Sequence, residues 1–143
     1  MSQLRLPYFK LSADAFAGFL QAAAALDKGS TDAALRELLY FRVSQINGCA
    51  YCLHMHAKGM REHGASQDKI DTVAGWPLSP HFDDAERAAL AYAESITAVA
   101  DTRVPEDVYL PLKTHFTDEQ ISDLTVAISL INAFNRIAVA MKR

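Results

Sequence analysis

The sequence predicts an all-α fold, a single-domain helical bundle of about six to seven helices. Three observations carry this. Apolar residues recur at helical spacing nearly throughout, and no stretch shows sustained strict alternation. Glycines number six and prolines five in 143 residues, so long helices run uninterrupted. Two capping boxes, Asp83 with Glu86 and Thr117 with Gln120, pair a cap side chain with an acid or amide three positions on.

In chain order, Ser12 or Asp14 opens a first helix with Phe16, Phe19, Leu20 and Ala23 on one face, ending near Asp27-Lys28-Gly29. A second runs from Thr31 or Asp32 to Ile46 and stops at Asn47-Gly48, a good C-terminal signal. A third starts near Cys49 and ends at His63-Gly64. Ser66 caps a short fourth with Ile70 and Val73, ended by Gly75. Gly75 to Phe82 reads as a loop because Pro77 and Pro80 break regular structure. Asp83 opens a fifth helix to about Ala100, and Pro105 suits the first turn of a shorter sixth. Thr117 opens a long last helix through Met141, with Ile121, Leu124, Ile128, Ile131, Phe134 and Ile137 available for packing.

Length and composition bound the function. The chain fits one domain, residues 1–143, half apolar and 22% charged. A net charge of −3 offers no basic field for nucleic acid or an anionic membrane. Apolar runs are interrupted early, so no membrane span is expected, and the N-terminus lacks an apolar signal region. A cytoplasmic location is the resulting expectation. A chain of this size leaves an apolar surplus that self-association would hide.

The two cysteines are Cys49 and Cys52, separated by two residues. Such a pair closes almost no loop and so does little as a staple. In a reducing compartment it points to redox chemistry or metal binding. With Cys52 set at zero on a helix of 100° per residue, Cys49 falls at about 60° and His56 at about 40°, one stripe. His54 falls at about 200°, with Lys58 and Arg61, toward water. Both sulfurs sit at or beside a first turn, where unpaired N–H groups and the helix dipole favour thiolate over thiol. His56, one turn on, is placed to accept or relay a proton. If the second and third helices form a hairpin about Asn47-Gly48, His56 faces residues from Glu37 to Tyr40. Glu37, half buried, would then orient His56.

Glu37, eleven intervening residues, Cys49-Ala-Tyr-Cys52, three more and His56 together resemble the signature of AhpD-like alkylhydroperoxidases of the carboxymuconolactone decarboxylase superfamily. The segments RVSQINGCAYCLHMHAKGMREHGAS and LTVAISLINAFNRIAVAM look alike too, so the resemblance covers most of residues 30–143. It implies an all-helical protein that assembles as a trimer or hexamer and reduces organic or hydrogen peroxides. The residue matching Cys52 attacks the peroxide and becomes a sulfenic acid. The one matching Cys49 resolves it to a disulfide, which a dithiol donor of lipoyl or thioredoxin type reduces. Glu37 and His56 match the proton-relay positions, and the scheme requires no metal or organic cofactor. One departure stands out: well-studied members carry histidine where this chain has Tyr51, about 100° from Cys52 and close enough to line the site. A phenol with pKa near 10 is a poor base at neutral pH but still donates a hydrogen bond.

Blander alternatives stand beside this reading. The cysteines could be two small buried hydrophobes, or they could join His56 and Glu37 in a zinc site. Arg136, one turn from Asn132 on the apolar last helix, could claim Glu37 as a buried ion pair, with Asn132, Asn135 and Arg136 structural. His63, His81 and His115 read as surface or helix-end residues. Trp76 could cover an entrance or anchor a core. The alanine face Ala85, Ala89, Ala93 and Ala100 suggests close helix packing or a subunit contact. At the level of function, the alternatives are a thiol–disulfide exchange adaptor for a protein partner, a non-enzymatic scaffold, and a lactone decarboxylase, whose chemistry calls for no dithiol.

Overall fold

The computed structural model describes residues 3–143. Among the described residues the chain forms ten α-helices and one 3-10 turn, with no strand. They are α1 (Tyr8–Leu11), α2 (Ala13–Asp27), α3 (Ala33–Asn47), α4 (Ala50–Glu62), α5 (Gln67–Asp71), the 3-10 turn Val73–Leu78, α6 (Asp84–Thr97), α7 (Val99–Thr102), α8 (Glu106–Tyr109), α9 (Leu112–His115) and α10 (Asp118–Ala140). The fold is the all-α bundle the periodicity predicts. The local signals explain its long elements: Asp32 and Ser66 accept from the backbone of Leu35 and Lys69, and both capping boxes close in both directions. Gly48 ends α3 in the left-handed region, φ 67°, which glycine adopts without steric cost.

Ten helices replace the six to seven expected because α1, α7, α8 and α9 are single turns of four residues. One turn is too short to show a period. The fifth predicted helix does not reach Ala100. It breaks at Ala98, where Thr102 Oγ1 donates to the Ser95 carbonyl (2.7 Å) and accepts from Ser95 Oγ (3.0 Å), folding the chain back into α7. The predicted loop is partly ordered as well. The Arg87 guanidinium donates to the carbonyls of Trp76, Pro77, Ser79 and Phe82, satisfying the backbone through the 3-10 turn around Pro77.

α3 is the centre of the bundle. It packs on α4 along one side, on α10 along another and on α6 along a third. Leu38, Leu39, Val43, Val73, Leu90, Leu112, Leu124 and Ile128 form the core between them. The alanine stripe of α6 serves this packing: Ala89 and Ala93 are buried in the core, whereas Ala100 is exposed. Trp76 joins the same core and donates Nε1 to Glu94 (2.7 Å), so it anchors rather than covers an entrance. α2 lies on α10 through Leu26, Ala127 and Leu130, with Phe19 and Phe134 beside them.

α10 is long and apolar enough to cross a membrane by length and composition alone, which the short apolar runs of the sequence do not suggest. Here its apolar side lies against α2, α3 and α6 and supplies core. Its buried amides do a second job. Asn47 Nδ2 donates to Asn132 Oδ1 (2.9 Å) and Asn135 Oδ1 (3.1 Å), while Asn135 Nδ2 donates to Ser44 Oγ (3.0 Å). Polar side chains this deep are tolerated because each is bonded. They clamp the end of α3 to α10 and thereby fix where α4 begins.

Candidate active site

Cys49 is the N-cap of α4, and Cys52 stands three residues into the turn. The amide of Cys52 donates to Cys49 Sγ (3.2 Å), the bond that a serine or aspartate cap would normally accept. The amide of Cys49 itself donates to the Ser44 carbonyl (3.1 Å), so the end of α3 holds the start of α4 in place. The two sulfurs are joined as a disulfide. Both residues are buried, 2% and 4% exposed, with Ala138 of α10 packed against them. If the bond is reduced, unpaired N–H groups and the positive end of the α4 dipole favour thiolate there.

One turn along α4, His56 Nδ1 lies 2.8 Å from Glu37 Oε2 on α3. An ionised carboxylate only accepts, so Nδ1 carries the hydrogen and Nε2 of the neutral ring keeps its lone pair. The two side chains are mostly shielded from water. Gly59 makes room for the pair: a Cβ there would stand 2.3 Å from Glu37 Oε2. The Tyr40 ring packs tilted against the imidazole, 5.1 Å between centroids. Burial pushes the Tyr40 hydroxyl up to about 12, opposed by the nearby Arg36 charge. It is therefore a neutral phenol at any physiological pH.

Arg136 does not take Glu37. It is exposed and donates to Asn132 Oδ1 (2.8 Å) and the Asn132 carbonyl (3.2 Å), within its own helix. The buried arginine is Arg36, 4% exposed, which bonds Thr31 and Asp27. One position C-terminal to it, Glu37 turns toward α4. His54 is exposed, as the helical wheel predicts, and so are His63, His81 and His115. Among the described residues, no group of three or more His, Cys, Asp or Glu side chains is gathered to hold a metal ion; Glu37 and His56 bond each other, and the cysteines do likewise.

Cys52 and His56 open into one cavity of about 420 Å³, whose wall also includes Tyr40, Tyr51, Phe16 and Phe134. Tyr51, 36% exposed, is turned to the rim by Arg143. That guanidinium lies 4.0 Å from the Tyr51 ring centroid and donates to Tyr51 Oη (2.9 Å) and Tyr8 Oη (3.0 Å). Sequence reasoning finds Cys49, Cys52, His56, Glu37 and Tyr51 but misses Tyr8, Phe16, Phe134 and Arg143. The apolar periodicity around Phe16 and Phe134 marks α2 and α10 as packing helices, yet nothing local announces that these side chains share a cavity with Cys52, and Tyr8 and Arg143 lie outside both helices. Cys49 belongs to a different depression of about 760 Å³, lined by Arg5, Lys142 and Arg143 with Gly48 and Ala138.

Fold and site together define the class: an all-helical AhpD-like protein with a Cys-X-X-Cys pair at a helix start and a Glu–His pair behind it. The chain belongs to the Carboxymuconolactone decarboxylase family, which it matches over residues 11–95. It is 34% identical to the uncharacterised protein YdfG of Bacillus subtilis over 141 residues, 99% of this chain and 95% of that one. A stretch of 38 residues, 27% of this chain and 22% of the other, is 45% identical to the alkyl hydroperoxide reductase AhpD of Rhizorhabdus wittichii. Among solved structures, ATU0492 of Agrobacterium tumefaciens, a protein of unknown function with a suggested AhpD role in antioxidant defence, superposes with a TM-score of 0.93. It is 37% identical, and the match covers 97% of this chain and 95% of that one.

Proposed function

We propose that the protein is a thiol-dependent peroxidase acting on organic or hydrogen peroxides. The observation that carries this is the disulfide at the start of α4, with Cys52 sharing a cavity with a histidine held by a buried carboxylate. Family membership supports a peroxidase-related antioxidant role. In the reduced protein, the Cys52 thiolate attacks the terminal peroxide oxygen and the O–O bond breaks. The alcohol or water leaves with a proton that His56 relays, and Glu37 keeps the ring in the tautomer that does so. Cys52 is left as sulfenic acid. The Cys49 thiolate attacks that sulfur, hydroxide leaves as water, and the disulfide forms. A dithiol donor of lipoyl or thioredoxin type restores both thiols. No metal or organic cofactor enters this sequence.

The test is peroxide consumption with a dithiol reductant. Cys52→Ser should abolish turnover, and undiminished turnover would sink the assignment. Fast disulfide exchange without peroxide consumption would instead identify a thiol–disulfide exchange adaptor. The same reading puts the protein in the reducing cytoplasm as a homo-oligomer, a trimer or hexamer. Exposed apolar side chains such as Leu20, Met55, Leu110 and Val126 support assembly; light scattering in solution measures it.

A further inference from the structure

The two cysteines of the disulfide line two different depressions. On the Cys52 side the cavity is walled by aromatic and aliphatic side chains. On the Cys49 side the depression gathers Arg5, Lys142 and Arg143 among Leu4, Ala50 and Val139, and no Asp or Glu side chain lines it among the described residues. That clustering occurs in a chain whose net charge is −3. Ala138 and Arg143 line both sides and act as the partition. From this we infer that the reductant is a protein dithiol flanked by carboxylates, which docks in the basic cleft and attacks the sulfur of Cys49. The inference rests on the disulfide being turned over as proposed above.

Charge selects the cleft as the docking side, and Cys49 is the cysteine that lines it. A donor thiolate with acidic neighbours would lose its hydration in the apolar cavity at heavy cost, whereas the basic cleft attracts it. Attack on Cys49 makes Cys52 the departing thiolate, three residues into α4 and lining the cavity that holds His56, an imidazole placed to return a proton to it. The steps balance. The donor thiolate forms a bond to Cys49 Sγ as the Cys49–Cys52 bond breaks, leaving a mixed disulfide and the Cys52 thiolate. The donor's second thiol, once deprotonated, attacks the donor sulfur of that mixed disulfide and releases the Cys49 thiolate. The donor is oxidised by two electrons, and its two protons pass through solvent to the two cysteines.

The experiment follows reduction of the oxidised full chain by synthetic peptides carrying one Cys-X-X-Cys dithiol flanked by glutamates, by serines or by lysines. Each rate is divided by that peptide's rate with an uncharged disulfide, 2-hydroxyethyl disulfide, which removes differences in intrinsic thiol reactivity without adding a charge bias. The acidic peptide should lead the basic one by on the order of tenfold at low salt, and high salt should erase the gap. Lys142→Glu should shrink the ratio most cleanly, because this exposed side chain makes no hydrogen bond or ion pair among the described residues. A single-cysteine acidic peptide, trapped with iodoacetamide and mapped by mass spectrometry, should be found on Cys49 with Cys52 alkylated. Equal normalised rates, a preference untouched by Lys142→Glu, or an adduct mapped to Cys52 would overturn the inference. No peroxide enters this assay, so a chain that prefers the acidic dithiol but never consumes peroxide would refute the peroxidase reading alone.

Discussion

α3 meets its neighbours in two very different ways. Toward α6 the junction joins packing to an ion pair: Ala89 and Ala93 let the helices approach, Leu90 is fully buried beside them, and Arg42 Nε donates to Glu94 Oε1 (2.8 Å), a carboxylate that Trp76 also holds. Toward α4 the junction carries a carboxylate bonded to an imidazole, a tyrosine held neutral and a glycine that exists to give the carboxylate space. Burying such a pair costs solvation that its attraction only partly returns, and apolar residues of similar size would do as well for stability. What the α3–α4 side has and the α3–α6 side lacks is an imidazole that opens into the cavity lined by Cys52.

The comparison can be broken from either side. Leu90→Ala should destabilise the chain by about 2–5 kcal/mol in urea unfolding, while leaving turnover per folded molecule near that of the parent. On the α4 side, Glu37→Gln should slow turnover by roughly tenfold to a hundredfold with a far smaller loss of stability. Gly59→Ala should imitate it, because the new methyl group occupies the place of the Glu37 carboxylate. Adding Gly59→Ala to Glu37→Gln should then cost little more in rate. Full additivity of the two would show that Gly59 acts elsewhere.

A pH experiment sharpens the contrast further. The Tyr40 hydroxyl is raised by burial from 10.0 to about 12, so the folded state holds its proton more tightly than the unfolded one. The stability this provides is fully present below pH 10 and is lost as pH rises toward 12. Unfolding midpoints should fall through that window in the parent and fall less in Tyr40→Phe. The smallest effect belongs to the surface: Arg143→Ala removes the cation–π contact with Tyr51 and should cost about 0.5–1 kcal/mol, read as a slight drop in Tm.

Much of this is legible in the amino-acid sequence. Asp32, Ser66, Asp83 and Thr117 cap the helices they announce, because a cap is a bond between residues three apart. Granted a hairpin about Asn47-Gly48, the sequence places His56 opposite Glu37 and both sulfurs at the turn, as the structure does. Arg36 and Arg136 show where such reading fails. Both lie on helices of the core, but only Arg36 is buried, and that depends on which face each helix turns inward. The end of α6 escapes sequence reasoning for a similar reason: Ser95 and Thr102 bond across a break that helical propensity does not signal.

What the amino-acid order settled alone was whatever depends on near neighbours: helix starts, the α3 stop at Gly48, and the stripe that carries Cys49, Cys52 and His56. Those are contacts spanning a few residues, and covalent geometry imposes them. Only the folded chain decided that Tyr8 and Tyr51 share the guanidinium of Arg143 across 135 and 92 positions, and that Cys52 lines one depression while Cys49 lines another that gathers Arg5 and Lys142. Such pairings arise from the packing of whole helices, and no local pattern encodes the angle at which α10 crosses α4.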